Sequence, residues 1–432
     1  MEKLYYETIK ETLYHEKMDN GLNVYLLPKY GFSKTYGLFS TRFGAIDTQF
    51  VPLGQSEMIK TQDGIAHFLE HKMFDMEDGD ASDKFSLLGA STNAFTSSSR
   101  TAYLFSSADR IDECVELLLD FVQSLYLTKE SVEKEKGIIG QEISMYDDDP
   151  DWRNYFGSIA SLFHRHPVKV DIAGTIETVN ATTVEMLKEC YETFYHPSNM
   201  MLFVVGNLEP EKMMELIRQN QAKKQFAPAQ EIIRAKIEEP ATVYRKEEVL
   251  KMDVVMPKMM MGIKVNDIPQ NGKDKLIKEL SMNILLDILF SKSSPVYEEM
   301  QNTGLINDSF GAGFTQERDY SFIQVGGDTT KPEELKQYLT HLFDHLNEFD
   351  IDQATFERVK KKSIGIFINS FNSPEAIANT FSRYYFEGIF SFEIIDIISS
   401  ITLDDVLKMR DYFVKDTKTV HIILPQKTSA DN

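Results

Sequence analysis

His67-Phe68-Leu69-Glu70-His71 lies inside the longer run Asp63-Gly64-Ile65-Ala66 to Lys72-Met73-Phe74. Asp63-Gly64 supplies a helix start, and Ile65, Ala66, Phe68, Leu69 and Met73 supply apolar flanks to bury. On such a helix, positions three and four apart are neighbours, so His67, Glu70 and His71 project from one face. Two imidazoles at that spacing can ligate zinc together while the carboxylate reaches a water beside it, a pattern suited to metal-assisted hydrolysis. The bland alternative is a solvated helix face carrying two ordinary histidines. A metal site needs a third ligand from elsewhere.

The chain has 432 residues, 42% hydrophobic and 26% charged, enough for two or more domains with substantial cores. Its formal charge of −21, from 67 acidic and 46 basic side chains, repels a phosphate backbone and argues against nucleic acid as a partner. Cys114 and Cys190 form no Cys-x-x-Cys pair, which fits plain thiols in a reducing compartment. The charged residues 1–16 lack the apolar core of a signal peptide, and no run is long enough to span a membrane. The expectation is a cytoplasmic protein with no membrane association.

Residues 22–27, 36–43, 91–96 and 101–106 read as strands, and 111–125 as a helix. A second helix begins near Thr128 or Lys129 and runs to the stop Asp147-Asp148-Asp149-Pro150. It carries Glu135 and Glu142, two turns apart and so on one face. Alone they would read as surface glutamates. With the histidine motif upstream, Glu142 becomes the candidate third ligand. A helix over about 182–194 and a strand over 200–205 close this half, and the polar stretch 221–239 reads as a linker between domains 1–220 and 240–432.

The second half repeats the first. Asp120 and Asp344, Ser131 and Thr355, Glu133 and Glu357, Pro150 and Pro374 are each 224 positions apart. The same offset sets Val359 opposite Glu135 and Ile366 opposite Glu142, and no histidine lies in the helical run 276–290, so only the first half can bind metal in this way. His341-Leu342-Phe343-Asp344-His345 mimics the motif, but its counterpart, residues 117–121, is an ordinary core helix.

Taken together, these residues resemble the pitrilysin/insulinase family of inverted-motif zinc peptidases, whose pattern Gly-x-Ala-His-x-x-Glu-His is met by Gly64, Ala66, His67, Glu70 and His71. Asn93-Ala94-Phe95-Thr96 is similar to the family's active-site edge strand, Glu135 and Glu142 to its distal glutamate pair, and Tyr195-His196-Pro197-Ser198-Asn199-Met200 to its turn before a core strand. The likeness is nearest to bacterial members akin to the mitochondrial processing peptidase. It implies an α+β fold of two duplicated domains, each a mainly antiparallel sheet packed with helices, together forming half of a clamshell. It also implies one zinc ion per chain held by His67, His71 and Glu142, with Glu70 as general base and Glu135 supporting the ligand set. The substrate is then a peptide or small unfolded protein, bound in an enclosed chamber as an added strand along Asn93 and Ala94.

One departure stands out. Active members place an Arg and a Tyr seven residues apart in the second half, where they bind substrate and stabilise the oxyanion; here Met300 and Asn307 occupy those places. One oxyanion contact is worth about 3 kcal/mol. The resemblance therefore implies a dimer, either with itself or with a paralogous chain that brings the missing pair. The competing reading is a non-catalytic scaffold or peptide-binding subunit of the same fold. A metal-dependent hydrolase acting on something other than peptides is the third.

Overall fold

The computed structural model describes residues 1–413 and 416–426. They form two compact units, neither of which follows the order of the chain. The first comprises Met1–Ile143, Val170–Lys236 and Ile368–Glu393, and the second Ser144–Lys169, Ile237–Phe367 and the segment from Ile394 onward.

In the first unit, β1 (Glu2–Tyr6), β2 (Glu11–Lys17), β3 (Asn23–Pro28), β4 (Thr35–Thr41), β5 (Ser91–Thr96), β6 (Thr101–Ser107) and β7 (Met200–Gly206) form one sheet in the order β1-β2-β3-β7-β4-β6-β5. Its ladders are antiparallel except for β3 with β7. Every residue of β4 and β7 is buried, which is why those segments read as unbroken apolar runs rather than alternating ones. One face packs against the helix Pro374–Tyr385, whose Ile377, Ala378 and Phe381 join Tyr25, Leu38 and Phe203 in a single cluster. The rings of Phe203 and Phe381 stack with centroids 4.5 Å apart. On the alternate positions of β6, Tyr103 meets Phe121 of the helix Ile111–Val122 edge-on at 5.7 Å. Each such fully buried side chain contributes roughly 1.5–3 kcal/mol.

The charged N-terminal residues add two strands that the sequence pattern does not announce. Residues 233–235, within the stretch read as a linker, lie against the first unit: Val51 N–H donates to the Ile233 carbonyl at 2.9 Å, and Arg234 pairs with buried Asp47 at 2.7 Å.

In the second unit, β8 (Glu247–Met252), β9 (Lys258–Lys264), β10 (Gly311–Gln316), β11 (Ser321–Asp328) and β12 (Lys418–Pro425) run in the order β8-β12-β9-β11-β10, again with one parallel pair, β8 with β12. This order repeats that of β3-β7-β4-β6-β5. The helix Pro150–Leu162 packs on β9 and β12, and the helix Gly272–Phe290 contributes Leu285 and Leu289 to a core with Met261, Ile263, Ile323 and Val325. Glu239 closes the turn 164–166 by accepting three backbone N–H groups at 2.7 to 2.9 Å, and the buried Lys264 ammonium donates to it.

The two out-of-order segments, Ser144–Lys169 in the second unit and Ile368–Glu393 in the first, start 224 positions apart (144 to 368) and end 224 positions apart (169 to 393). That is the offset at which the two halves of the sequence repeat. Each segment opens with a side-chain cap and a proline in the first helical turn, Asp149-Pro150 and Ser373-Pro374. The fold is thus α+β and internally duplicated, with the equivalent helix of each half built into the other half's unit.

Candidate metal centre

The motif helix α1 (Ile65–Lys72) starts at Gly64, whose φ of 85° lies in the left-handed region. A Cβ there would sit 2.3 Å from the Ala173 carbonyl oxygen, so both the backbone angle and the close approach of the 173–174 loop require glycine. Of the eight residues, Ile65 to Glu70 and Lys72 are buried, and His71 alone is partly open. The second helix of the site, α2 (Lys129–Asp148), buries Val132, Ile139 and Ile143. That packing turns Glu135 and Glu142 toward α1.

His67 Nε2 lies 3.7 Å from Glu142 Oε1, and His71 Nε2 lies 3.6 Å from Glu142 Oε2. Ligand atoms of all three side chains fall within 4.8 Å of one another. Ligands 2.0–2.1 Å from a tetrahedral zinc stand about 3.4 Å apart, so these separations suit one ion of that size. Among the described residues, no other three His, Cys or carboxylate groups converge in this way. The His341 and His345 rings do lie 4.4 Å apart, tilted at 41°, but His345 Nδ1 bonds the His341 carbonyl and Asp344 pairs with Lys418.

The two imidazoles of the donor set differ in proton affinity. Burial, with His71 adding to it, pushes the His67 imidazole down to about 4, so its ring is neutral and offers a lone pair at pH 7. Burial also works to lower His71, but the hydrogen bond that its Nδ1–H donates to Glu135 and the nearby carboxylates outweigh it and the pKa rises. Glu135 shows the reverse balance: burial would raise its carboxyl, yet the His71 contact and the charges of His71 and Lys72 hold it low. Its Oε1 stands 3.0 Å from His71 Nδ1, which directs His71 Nε2 toward Glu142.

Glu70, 8% exposed, has its carboxyl pushed up by burial, and the Thr96 hydroxyl donates to its Oε2 at 2.5 Å in partial opposition. Thr96 belongs to β5, which among the described residues pairs only with β6 and so is an edge strand of the sheet. Asn93 and Ala94 sit in the middle of that strand, opposite Leu104 and Tyr103. Four hydroxyl or ammonium groups near the motif had no role assigned from the sequence. They are Thr96, the buried phenol pair Tyr103 and Tyr195 with oxygens 2.7 Å apart, and Lys72, 1% exposed. Lys72 had left a trace: it takes the last place of an i, i+3, i+4, i+7 stripe with Ile65, Phe68 and Leu69, where a lysine must be buried and paired.

In the second unit, Met300 is fully buried in the core on the helix Pro295–Asn302, and Asn307 donates to Met256 Sδ and accepts from the Ser309 N–H at 2.8 Å. Tyr320 is buried against Phe163 and Phe322. No helix among the described residues is long and apolar enough to cross a membrane.

Comparison with known proteins identifies the family and the fold. Residues 50–175 match the family model described as Insulinase (Peptidase family M16), and residues 181–363 match that of the Peptidase M16 inactive domain. The zinc protease YmfH of Bacillus subtilis is 49% identical over 98% of this chain and 98% of its own length. The zinc protease PqqE of Helicobacter pylori is 22% identical over 94% of this chain and 91% of that one. The crystal structure of an M16-like peptidase from Alicyclobacillus acidocaldarius superposes with a TM-score of 0.91 at 36% identity, covering 96% of this chain and 99% of that one. With a duplicated α+β fold, an His-x-x-Glu-His helix facing a remote glutamate, and a full-length relative at this identity, the chain belongs to the insulinase family of peptidases, family M16.

Proposed function

We propose that this protein is a zinc-dependent endopeptidase that cleaves peptides or small unfolded proteins, with His67, His71 and Glu142 as ligands of one zinc ion and Glu70 as general base. The observation that carries the reading is the convergence of three ligand atoms within 4.8 Å beside a buried carboxylate of raised proton affinity. Zinc, when bound, supplies a Lewis acid that polarises a peptide carbonyl and acidifies water.

The chain's own residues do the remainder. Thr96 holds Glu70 Oε2. The other oxygen is left to take a proton from the attacking water, and a carboxyl whose proton affinity is raised by burial is suited to that transfer. Glu135 keeps His71 in the tautomer whose Nε2 faces the ligand set. The open edge of β5 at Asn93 and Ala94 receives an extended peptide through backbone hydrogen bonds. The buried free thiols Cys114 and Cys190 fit a cytoplasmic setting.

Met300 and Asn307 are taken up by internal packing, so this chain offers no Arg and Tyr at those positions. That observation supports a working unit that is a dimer, in which a paralogous chain brings the missing pair. It equally supports a second reading, a subunit that keeps the metal and the fold but does not cleave.

Elemental analysis beside a quenched-peptide assay separates the two, run on the native protein and on Glu70→Gln, each alone and mixed with a paralogous chain. The endopeptidase reading expects one zinc per chain in both forms and a loss of about 10²- to 10⁴-fold in cleavage for the variant. Zinc without cleavage in any pairing establishes the scaffold. Undiminished cleavage by Glu70→Gln removes Glu70 from the chemistry.

A further inference from the structure

Lys72 immediately follows the second histidine of the motif, yet its side chain turns away from solvent: it is 1% exposed and ranks among the largest fully buried side chains of the protein. An ammonium in that position is sustained only by opposite charge. Two carboxylates supply it. Asp75, three residues on, bonds Nζ directly, and Glu135 of α2 presents Oε2 at 3.7 Å. The other oxygen of the same Glu135 carboxylate, Oε1, is the one that bonds His71 Nδ1 at 3.0 Å. The two ends of one carboxylate are therefore taken by two neighbouring residues of α1, and the contacts run Asp75, Lys72, Glu135, His71, Glu142.

We propose that Lys72 is a positioning residue of the metal centre, clamping Glu135 so that its carboxylate plane stays aligned with the His71 ring. The inference deepens the zinc-site reading and rests on it. The physical reason is orientational. A carboxylate held at one oxygen can turn about its last bond, whereas one held at both ends cannot, and Glu135 is itself mostly enclosed, with 13% of its side chain exposed. Without the ammonium, Oε2 would lose its ion-pair partner in an enclosed place, and the carboxylate would swing toward solvent. His71 would then lose the contact that sets its tautomer and ring orientation. Loss of such outer support costs metal sites about 10- to 100-fold in affinity. A lysine that merely stabilised α1 would alter the unfolding temperature and leave zinc affinity in the folded protein unchanged.

The test measures the zinc dissociation constant by competition with a chromophoric chelator, on the full chain, for the native protein, Lys72→Met, Glu135→Gln and the double variant. Lys72→Met is expected to bind zinc about 10- to 100-fold more weakly. In the Glu135→Gln background the same exchange should add less than about threefold, because the two act through one carboxylate. Where Lys72→Met does not fold, Lys72→Gln, which keeps a donor for Asp75 but removes the charge facing Glu135, carries the same expectation. A folded Lys72 variant with native zinc affinity overturns the proposal, as does a loss undiminished in the Glu135→Gln background. A native protein that binds no zinc overturns the site reading itself, an outcome distinct from zinc bound equally by native and variant.

Discussion

Acidification should weaken the second unit through one side chain, His421. It lies in β12 with no exposure. Its Nδ1 stands 3.0 Å from Asn154 Oδ1, so Nδ1 carries the hydrogen and Nε2 is bare. That Nε2 has no hydrogen-bond partner and packs where a Cβ on Gly157 would be 2.3 Å away. A proton added at Nε2 would be a buried charge with no acceptor, and burial accordingly pushes the imidazole down to about 4 from an ordinary 6.5. Because the folded value lies below the unfolded one, the neutral ring's contribution is complete above pH 6.5 and is lost as the pH falls toward 4. At 1.36 kcal/mol per pH unit the whole effect is at most about 3 kcal/mol, or roughly 6–12 °C in unfolding temperature for a unit of 150–250 residues.

The assay is built into the chain. Trp152 is the only tryptophan in the sequence and lies on the helix Pro150–Leu162 that also carries Asn154, so its fluorescence follows this unit. The expected result is a native unfolding midpoint that falls more steeply from pH 6.5 to 4 than that of His421→Gln, which keeps an amide for Asn154 but cannot titrate. Midpoints that fall in parallel would refute the reasoning, whatever the absolute stability of the variant.

Met300→Arg supplies the side chain that the family resemblance leads one to expect there but places an unpaired guanidinium in a packed core; a loss of about 3 kcal/mol or more is expected in denaturant titration, and a neutral result would mean that position 300 opens to solvent. Gly64→Ala combines a left-handed backbone cost of about 1–2 kcal/mol with contact on the Ala173 carbonyl, for a total near 3 kcal/mol. Chemical unfolding reads that loss, and an alanine variant of native stability would show that the 63–64 and 173–174 loops can part.

Much of the site was legible because it is local. The spacing of His67, Glu70 and His71 specifies a helix face wherever that helix is placed, and the 91–96 strand and the helix beginning at Thr128 or Lys129 emerge within a residue or two of their read limits. The 224-residue offset was visible as well, since a repeat leaves matched caps and prolines at matched places. Other features left weaker marks. The strands of residues 2–6 and 11–17 are charged and half-exposed, so they lack the apolar run that marks β4 or β7. Met300 read as an absent arginine, while its role as a core residue depends on neighbours far along the chain.

The sequence by itself therefore determined a helix face that gathers two imidazoles and a carboxylate, strands and helices in both halves, and a repeat at an offset of 224 residues. Only the tertiary structure decided which distant carboxylate meets that face, that Glu135 and Lys72 share a contact behind it, and that residues 144–169 and 368–393 are each built into the other half's unit. The reason is physical: periodicity states which side of an element must be buried, but burial against any of several apolar surfaces satisfies it, and the choice among them is made by packing between segments hundreds of residues apart.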